Sequence, residues 1–270
     1  MSNDTHAADS AAEAVPAPSG GRAALRFVRE VVFVLIGAIV VSSLLRAFVG
    51  QMFIIPSPSM ENTLLVNDRV AVRKVGDFGR GNVVVFQDPA NWLHEASNPD
   101  GTSRQPTPRE RVLEFIGIPT ATTPGHLIKR VIGMPGDTIV CCDANGRITV
   151  NGYVLDERAY LATDDAGRQV DPSRTRFEVV VPRERIFVMG DNREVSADSR
   201  CHLSDLSTTQ GQGQAAFVPI DMVVGPAMGV VAPFNRASRL PIPASFAGVP
   251  APTAPAPAKA VIKPEGVTCS

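Results

Sequence analysis

The chain has 270 residues, 44% of them hydrophobic, and its 26 Lys and Arg nearly balance 27 Asp and Glu to a net charge of −1. That length can bury one good-sized core, or two small ones, outside any membrane segment. The basic residues are scattered and only three aromatics are Trp or Tyr, which argues against a phosphate-binding stripe, a base-stacking surface and a nucleic-acid partner. Four cysteines, Cys141, Cys142, Cys201 and Cys269, are too few and too irregularly spaced for a disulfide scaffold or a zinc site. The vicinal pair is expected to reach elsewhere rather than close on itself, and any disulfide requires an oxidising compartment.

Residues 1–21 are Ala, Ser, Pro, Gly and Asp with almost no large apolar side chains, so they cannot offset the entropy of ordering and read as a disordered tail. Val31 to Leu45 carries no charge. At ~1.5 Å per residue it reaches only about 22 Å of a ~30 Å hydrocarbon core. The helix is therefore expected to run past Arg46, whose guanidinium can snorkel, with the apolar run resuming through Phe48, Val49, Met52, Phe53 and Ile54. A cleavable signal would want small residues at both −3 and −1, and Ala47-Phe48-Val49 offers only the first, so a permanent anchor is favoured. Arg22, Arg26 and Arg29 keep the N-terminus cytoplasmic by the positive-inside rule.

The remainder reads as β. The runs at 68–75, 82–87, 126–133, 138–142, 147–152, 176–181 and 185–190 are short and Val/Ile-rich, bounded by Gly, Asp, Asn or Pro. No helical period follows the anchor, which predicts an antiparallel sheet system rather than α/β. The apolar stretch 222–234, broken by Pro226 and glycines, reads as a buried strand pair and not a second span. Residues 88–124 are polar and proline-bearing, as expected of a loop insertion, and the Pro/Ala-rich end from Pro241 reads as a flexible tail. The predicted fold is thus mainly β: tail 1–25, transmembrane anchor helix 26–50, extracytoplasmic β-rich domain 51–240 with the insertion 88–124, and tail 241–270.

None of His6, His94, His126 or His202 sits in a triad signature, and no ligand cluster suggests metal catalysis. Lys129 lies inside an apolar run and, on a strand, shares a face with Leu127 and Val131. It reads either as an edge-strand lysine kept in water or as a buried base. Lowering its pKa from ~10.4 to about 8 by burial costs roughly 3 kcal/mol and leaves neutral amine to take a serine proton.

Taken together, "IPSPSMENTLLVNDRVAVRK", "RGNVVVF", "LIKRVIGMPGD" and "FVMGDNREVSADSR" resemble, in order, the motifs of bacterial type I signal peptidases, membrane-anchored Ser/Lys proteases. The likeness runs from the anchor to about Ala227, interrupted by 88–124. It implies Ser59 as nucleophile, Lys129 as general base and Ser57 as oxyanion donor beside the Ser59 N–H. It further implies Ser196 orienting the lysine amine, Asp198 and Arg200 as a bracing ion pair, and Ile55, Pro56, Met60 and Ile128 lining shallow pockets for small side chains. The reaction implied is removal of signal peptides from exported preproteins after a small-x-small motif, without metal or cofactor. It would take place at the plasma membrane, near the secretion translocon and against the lipid bilayer. Two other readings are a Ser/Lys maturation peptidase devoted to one partner and an inactive, anchored β-domain that only binds. Pro58 departs from the Gly or Glu often found there, and fixes φ near −65°. As the residue after Ser57, it should hold Ser57 extended.

Overall fold

The computed structural model describes residues 20–48, 50–90, 92–93, 125–206 and 211–263. The chain divides into two units, Met1–Leu45 and Arg46–Ser270. Of the insertion, only residues 88–90, 92 and 93 are described; the rest lies outside the described residues.

Helix α1 runs Gly20–Phe48. It begins inside the stretch expected as tail, because Arg22, Ala23, Ala24 and Leu25 are good helix formers. Every side chain described along it, 24–42, is exposed, including Phe33, Leu35, Ile36 and Ile39. Among the described residues no helix is long and apolar enough to cross a membrane; the described part of α1 carries Arg26, Arg29 and Glu30 in its first turns.

The second unit is built of antiparallel strands. They are β1 (Gln51–Ile54), β2 (Arg69–Val72), β3 (Val83–Gln87), β4 (His126–Gly133), β5 (Thr138–Cys141), β6 (Thr149–Val150) and β7 (Tyr153–Val154). Then follow β8 (Phe177–Val180), β9 (Arg185–Met189), β10 (Val218–Pro219), β11 (Val223–Ala232), β12 (Ser238–Arg239) and β13 (Val261–Lys263). One sheet has the order β1-β2-β11-β3-β4-β9-β10, with β12 beside β11; the other is β13-β8-β5-β6-β7. Phe53, Ile55, Met60, Val85 and Ile128 share one core, Val84, Phe86, Trp92 and Val131 another, and the smaller sheet packs a third around Ile139, Phe177 and Phe187.

Four expectations are corrected. The apolar run after Arg46 does not continue the helix through Ile54: α1 ends at Phe48, and Met52 to Ile54 belong to β1, hydrogen-bonded to β2. Residues 222–234 hold one long strand, β11, rather than a pair. Gly225 and Gly229 fall at register shifts, and Pro226 lies between them, where pairing passes from β3 on one side to β2 on the other. Cys141 and Cys142 are joined to each other: Cys141 is buried at the end of β5 and Cys142 packs against the same core. Finally, the Pro/Ala-rich end is laid down on the smaller sheet as far as Lys263. Phe246 and Val249 enter its core, β13 pairs with β8, and Gln214 and Ala260 exchange hydrogen bonds. Composition hid this because two apolar anchors and backbone carbonyls suffice to fix an extended segment.

Candidate active site

The connection between β1 and β2 carries the first catalytic candidate. Ser57 is extended (φ −135°, ψ 158°), as a residue before proline prefers, and Pro58 opens a 3-10 turn, Pro58–Met60. Proline suits that first position because its missing N–H would have had no partner within the turn. The turn closes with Glu61 N–H on the Pro58 carbonyl at 2.9 Å. Beneath it Met60 and Leu64 are fully buried. Met60 therefore belongs to the core rather than to a substrate pocket.

Ser59 thus faces β4. Its Oγ and the Nζ of Lys129 share a hydrogen bond of 2.6 Å across 70 positions of sequence, and the Ser57 hydroxyl donates to Ser59 Oγ at 3.2 Å. Lys129 is 3% exposed. Burial pulls its amine down to about 8; Asp198 and Asp191 oppose the drop, and Arg200 adds to it. Ser59 N–H lies in the first turn of a 3-10 segment, where N–H groups lack partners within the helix.

The loop after β9 braces both groups. Asp198 is fully buried and accepts from Gly190 N–H at 2.9 Å and from Arg200 Nε and Nη2, each at 2.9 Å. Burial alone would raise its carboxyl, but the Arg200 guanidinium and the Gly190 N–H hold it at about 2. Arg200 also donates to the Arg193 carbonyl at 3.0 Å, and Arg193 to the Gly190 carbonyl at 2.8 Å and to Glu157 at 2.5 Å. Gly190 could carry no side chain: a Cβ there would lie 2.5 Å from the Ser59 carbonyl oxygen and 2.2 Å from Ser196 Oγ. Ser196 is thereby placed at the site, yet its Oγ is buried with no hydrogen-bond partner among the described residues and makes no bond to Lys129.

Several supports carried no sequence signal of their own. Asn192 N–H donates to the Ser59 carbonyl at 3.1 Å, and its side-chain amide donates to Glu61 at 3.0 Å. Asp191 takes a two-pronged bond from Arg130 (2.8 and 2.6 Å) and one from the Thr63 hydroxyl, while Arg130 also donates to the Gly81 carbonyl at 2.7 Å. The alternation of β4 could have found Arg130: with Lys129 turned to one face, its charged neighbour must be satisfied on the other.

A cleft of about 330 Å³ opens beside Ser59 and Lys129. Ile55, Pro56, Ser57 and Ile128 line it, with Phe53, Val85 and Leu127. Among the described residues β4 pairs along this stretch with β3 only, because β9 joins it from Arg130 onward. No described strand occupies the edge from Leu127 to Lys129, where an extended peptide could pair.

A serine hydroxyl on a buried amine, in an apolar cleft with an open strand edge, has the parts of a serine hydrolase that acts on peptides. A family model described as signal peptidase, peptidase S26, matches residues 28–232. Signal peptidase I of Mycobacterium tuberculosis is 36% identical over 223 residues, covering 77% of this chain and 74% of its own. A probable signal peptidase I of Mycobacterium leprae is 36% identical over 208 residues (70% and 71%), and signal peptidase I S of Bacillus subtilis 30% over 188 (67% and 83%). A solved signal peptidase I from Enterococcus faecalis aligns at 19% identity with a TM-score of 0.29, over 56% of this chain and 97% of that one. The chain belongs to the signal peptidase family, peptidase S26, and is a serine peptidase.

Proposed function

We propose that the protein removes signal peptides from exported preproteins after a small-x-small motif, with Ser59 as nucleophile and Lys129 as general base. The 2.6 Å contact between Ser59 Oγ and an amine that burial brings to about 8 carries this reading, since near neutral pH part of that amine is free to accept a proton. Lys129 takes the hydroxyl proton as Ser59 Oγ attacks the scissile carbonyl. Ser57 Oγ–H and Ser59 N–H then donate to the oxyanion, and the proton passes from Lys129 to the departing amine. Water, deprotonated in turn by Lys129, hydrolyses the ester and frees Ser59. Asp198 and Arg200 hold the loop that shapes the site and take no part in bond making. Ile55, Pro56 and Ile128 crowd the positions beside the scissile bond, which favours small side chains there.

The same reading places the site at a membrane. The uncharged run Val31–Leu45 lies in a helix that continues through Phe48, with arginines ahead of it that favour a cytoplasmic N-terminus. On the second unit Leu65 and Val66 are exposed and Phe234 is 90% exposed. The ion pair of Arg236 with Asp68 at 2.9 Å ties together the two loops that carry them. Such an apolar rim suits contact with lipid, from which preproteins would be presented as they leave the translocon.

Full-length protein in detergent is expected to cleave a panel of preproteins after Ala-x-Ala, and Ser59→Ala and Lys129→Ala are each expected to abolish cleavage. Full activity in either variant refutes the mechanism. Cleavage of a single member of the panel would replace it with a dedicated maturation peptidase.

A further inference from the structure

The cleft has two unlike walls, and the second comes from the start of the 88–124 segment. Side chains alternate along β4. Ile128, opposite Val85, faces the core of Phe53 and Ile55, whereas Leu127, opposite Phe86, packs on the other side with Trp92. Trp92 and Leu93 both line the cleft.

This wall is rigid. The carboxylate of Asp88 accepts the backbone N–H groups of Trp92 at 2.8 Å and Leu93 at 3.0 Å. The indole stacks on His202 (ring centres 4.4 Å apart, planes 9° apart), meets Phe86 edge-on, and donates Nε1–H to the Ala215 carbonyl at 3.2 Å. His202 is fixed in turn by Asp205, 2.6 Å from its Nδ1. Trp92 itself is almost wholly buried, whereas Leu93 and Leu127 are half-buried and offer their side chains to the cleft.

An extended peptide laid along the open edge of β4 must send successive side chains to opposite faces. The residue that donates the scissile carbonyl (P1) and the one two before it (P3) then face Ile55 and Ile128. The residue between them (P2) faces Leu127 and Leu93. We propose that Leu93 and Leu127, positioned by Trp92, form a subsite that makes this peptidase prefer an apolar side chain at P2. The inference rests on the peptidase reading above and deepens it: the middle residue of the small-x-small motif is selected here, not free.

The test uses full-length protein in detergent and peptides Ala-X-Ala, with X as Ala, Leu, Lys or Glu, read as kcat/KM. The expected result is roughly tenfold faster cleavage for Leu than for Lys, the size of effect an apolar subsite gives. Leu93→Glu is expected to reverse the order, so that Lys exceeds Leu, while the preference for Ala over Leu at P1 stays as it was. A merely structural role for Leu93 would lower all four rates together and leave the order intact. Cleavage with a flat P2 profile in the native protein, or a profile that Leu93→Glu does not move, overturns the inference and leaves the peptidase reading standing. No cleavage of any peptide by the native protein overturns both.

Discussion

In the folded chain the Lys129 amine titrates at about 8, against an ordinary value of 10.5. At ~1.4 kcal/mol per pH unit that gap amounts to about 3 kcal/mol of stability given up to keep the amine out of water. The unfolded chain keeps its proton up to about pH 10.5, while the folded one loses it near 8. Stability therefore rises with pH between those limits, and below pH 8 the full penalty is present. Lys129→Met removes the penalty together with one hydrogen bond to Ser59 worth ~1 kcal/mol. The net gain is about 2 kcal/mol at pH 7, or about 4–8 °C in Tm for a unit of this size. Thermal unfolding of the native protein and the variant, run in parallel at pH 7 and pH 10, measures it. The variant should be inactive yet more stable at pH 7, and its advantage should shrink toward pH 10. A variant no more stable than the native protein at pH 7, or an advantage that ignores pH, refutes the link between burial and a poised base.

Other consequences follow from the same geometry. The kcat/KM of the native protein should climb with pH through about 8, as the neutral amine appears. Because Asp198 raises the Lys129 value, Asp198→Asn should move that climb to lower pH; it also leaves Arg200 buried without its counter-charge, costing about 3–5 kcal/mol in a denaturant titration. Ser57→Ala should lower kcat by about 10²–10³-fold with little change in KM, the loss of one oxyanion donor, whereas an unchanged kcat would remove Ser57 from the mechanism.

What the sequence disclosed is what local chemistry determines. β3, β4, β8 and β9 stand where Val/Ile runs end at Gly, Asp or Pro, and Lys129 shares a face with Leu127 and Val131, as alternation requires. Ser57 is extended because Pro58 follows it. The misreadings are of another kind. Met52 to Ile54 look like more of an apolar helix until β2 offers them partners. β11 looks like two strands because its prolines and glycines mark bends as well as ends. The Pro/Ala segment has the composition of a tail, and only Phe246 and Val249 betray that it docks. Asn192 lies within FVMGDNREVSADSR, but its contact was not legible: its backbone N–H holds the Ser59 carbonyl, and any residue type but proline has one. Met60, adjacent to the nucleophile in sequence, turns inward because a 3-10 turn separates neighbours onto different sides.

β11 stands between β2 and β3. Ser59 rides on the connection from β1 to β2, and Lys129 on the strand hydrogen-bonded to β3. Each belongs to a pair of strands from the first half of the chain, β1 with β2 and β3 with β4. Within the sheet those two pairs are joined through Val223–Ala232, made long after both. The sheet that holds nucleophile and base in one frame is therefore closed by a strand that ends at residue 232, far along the chain from both.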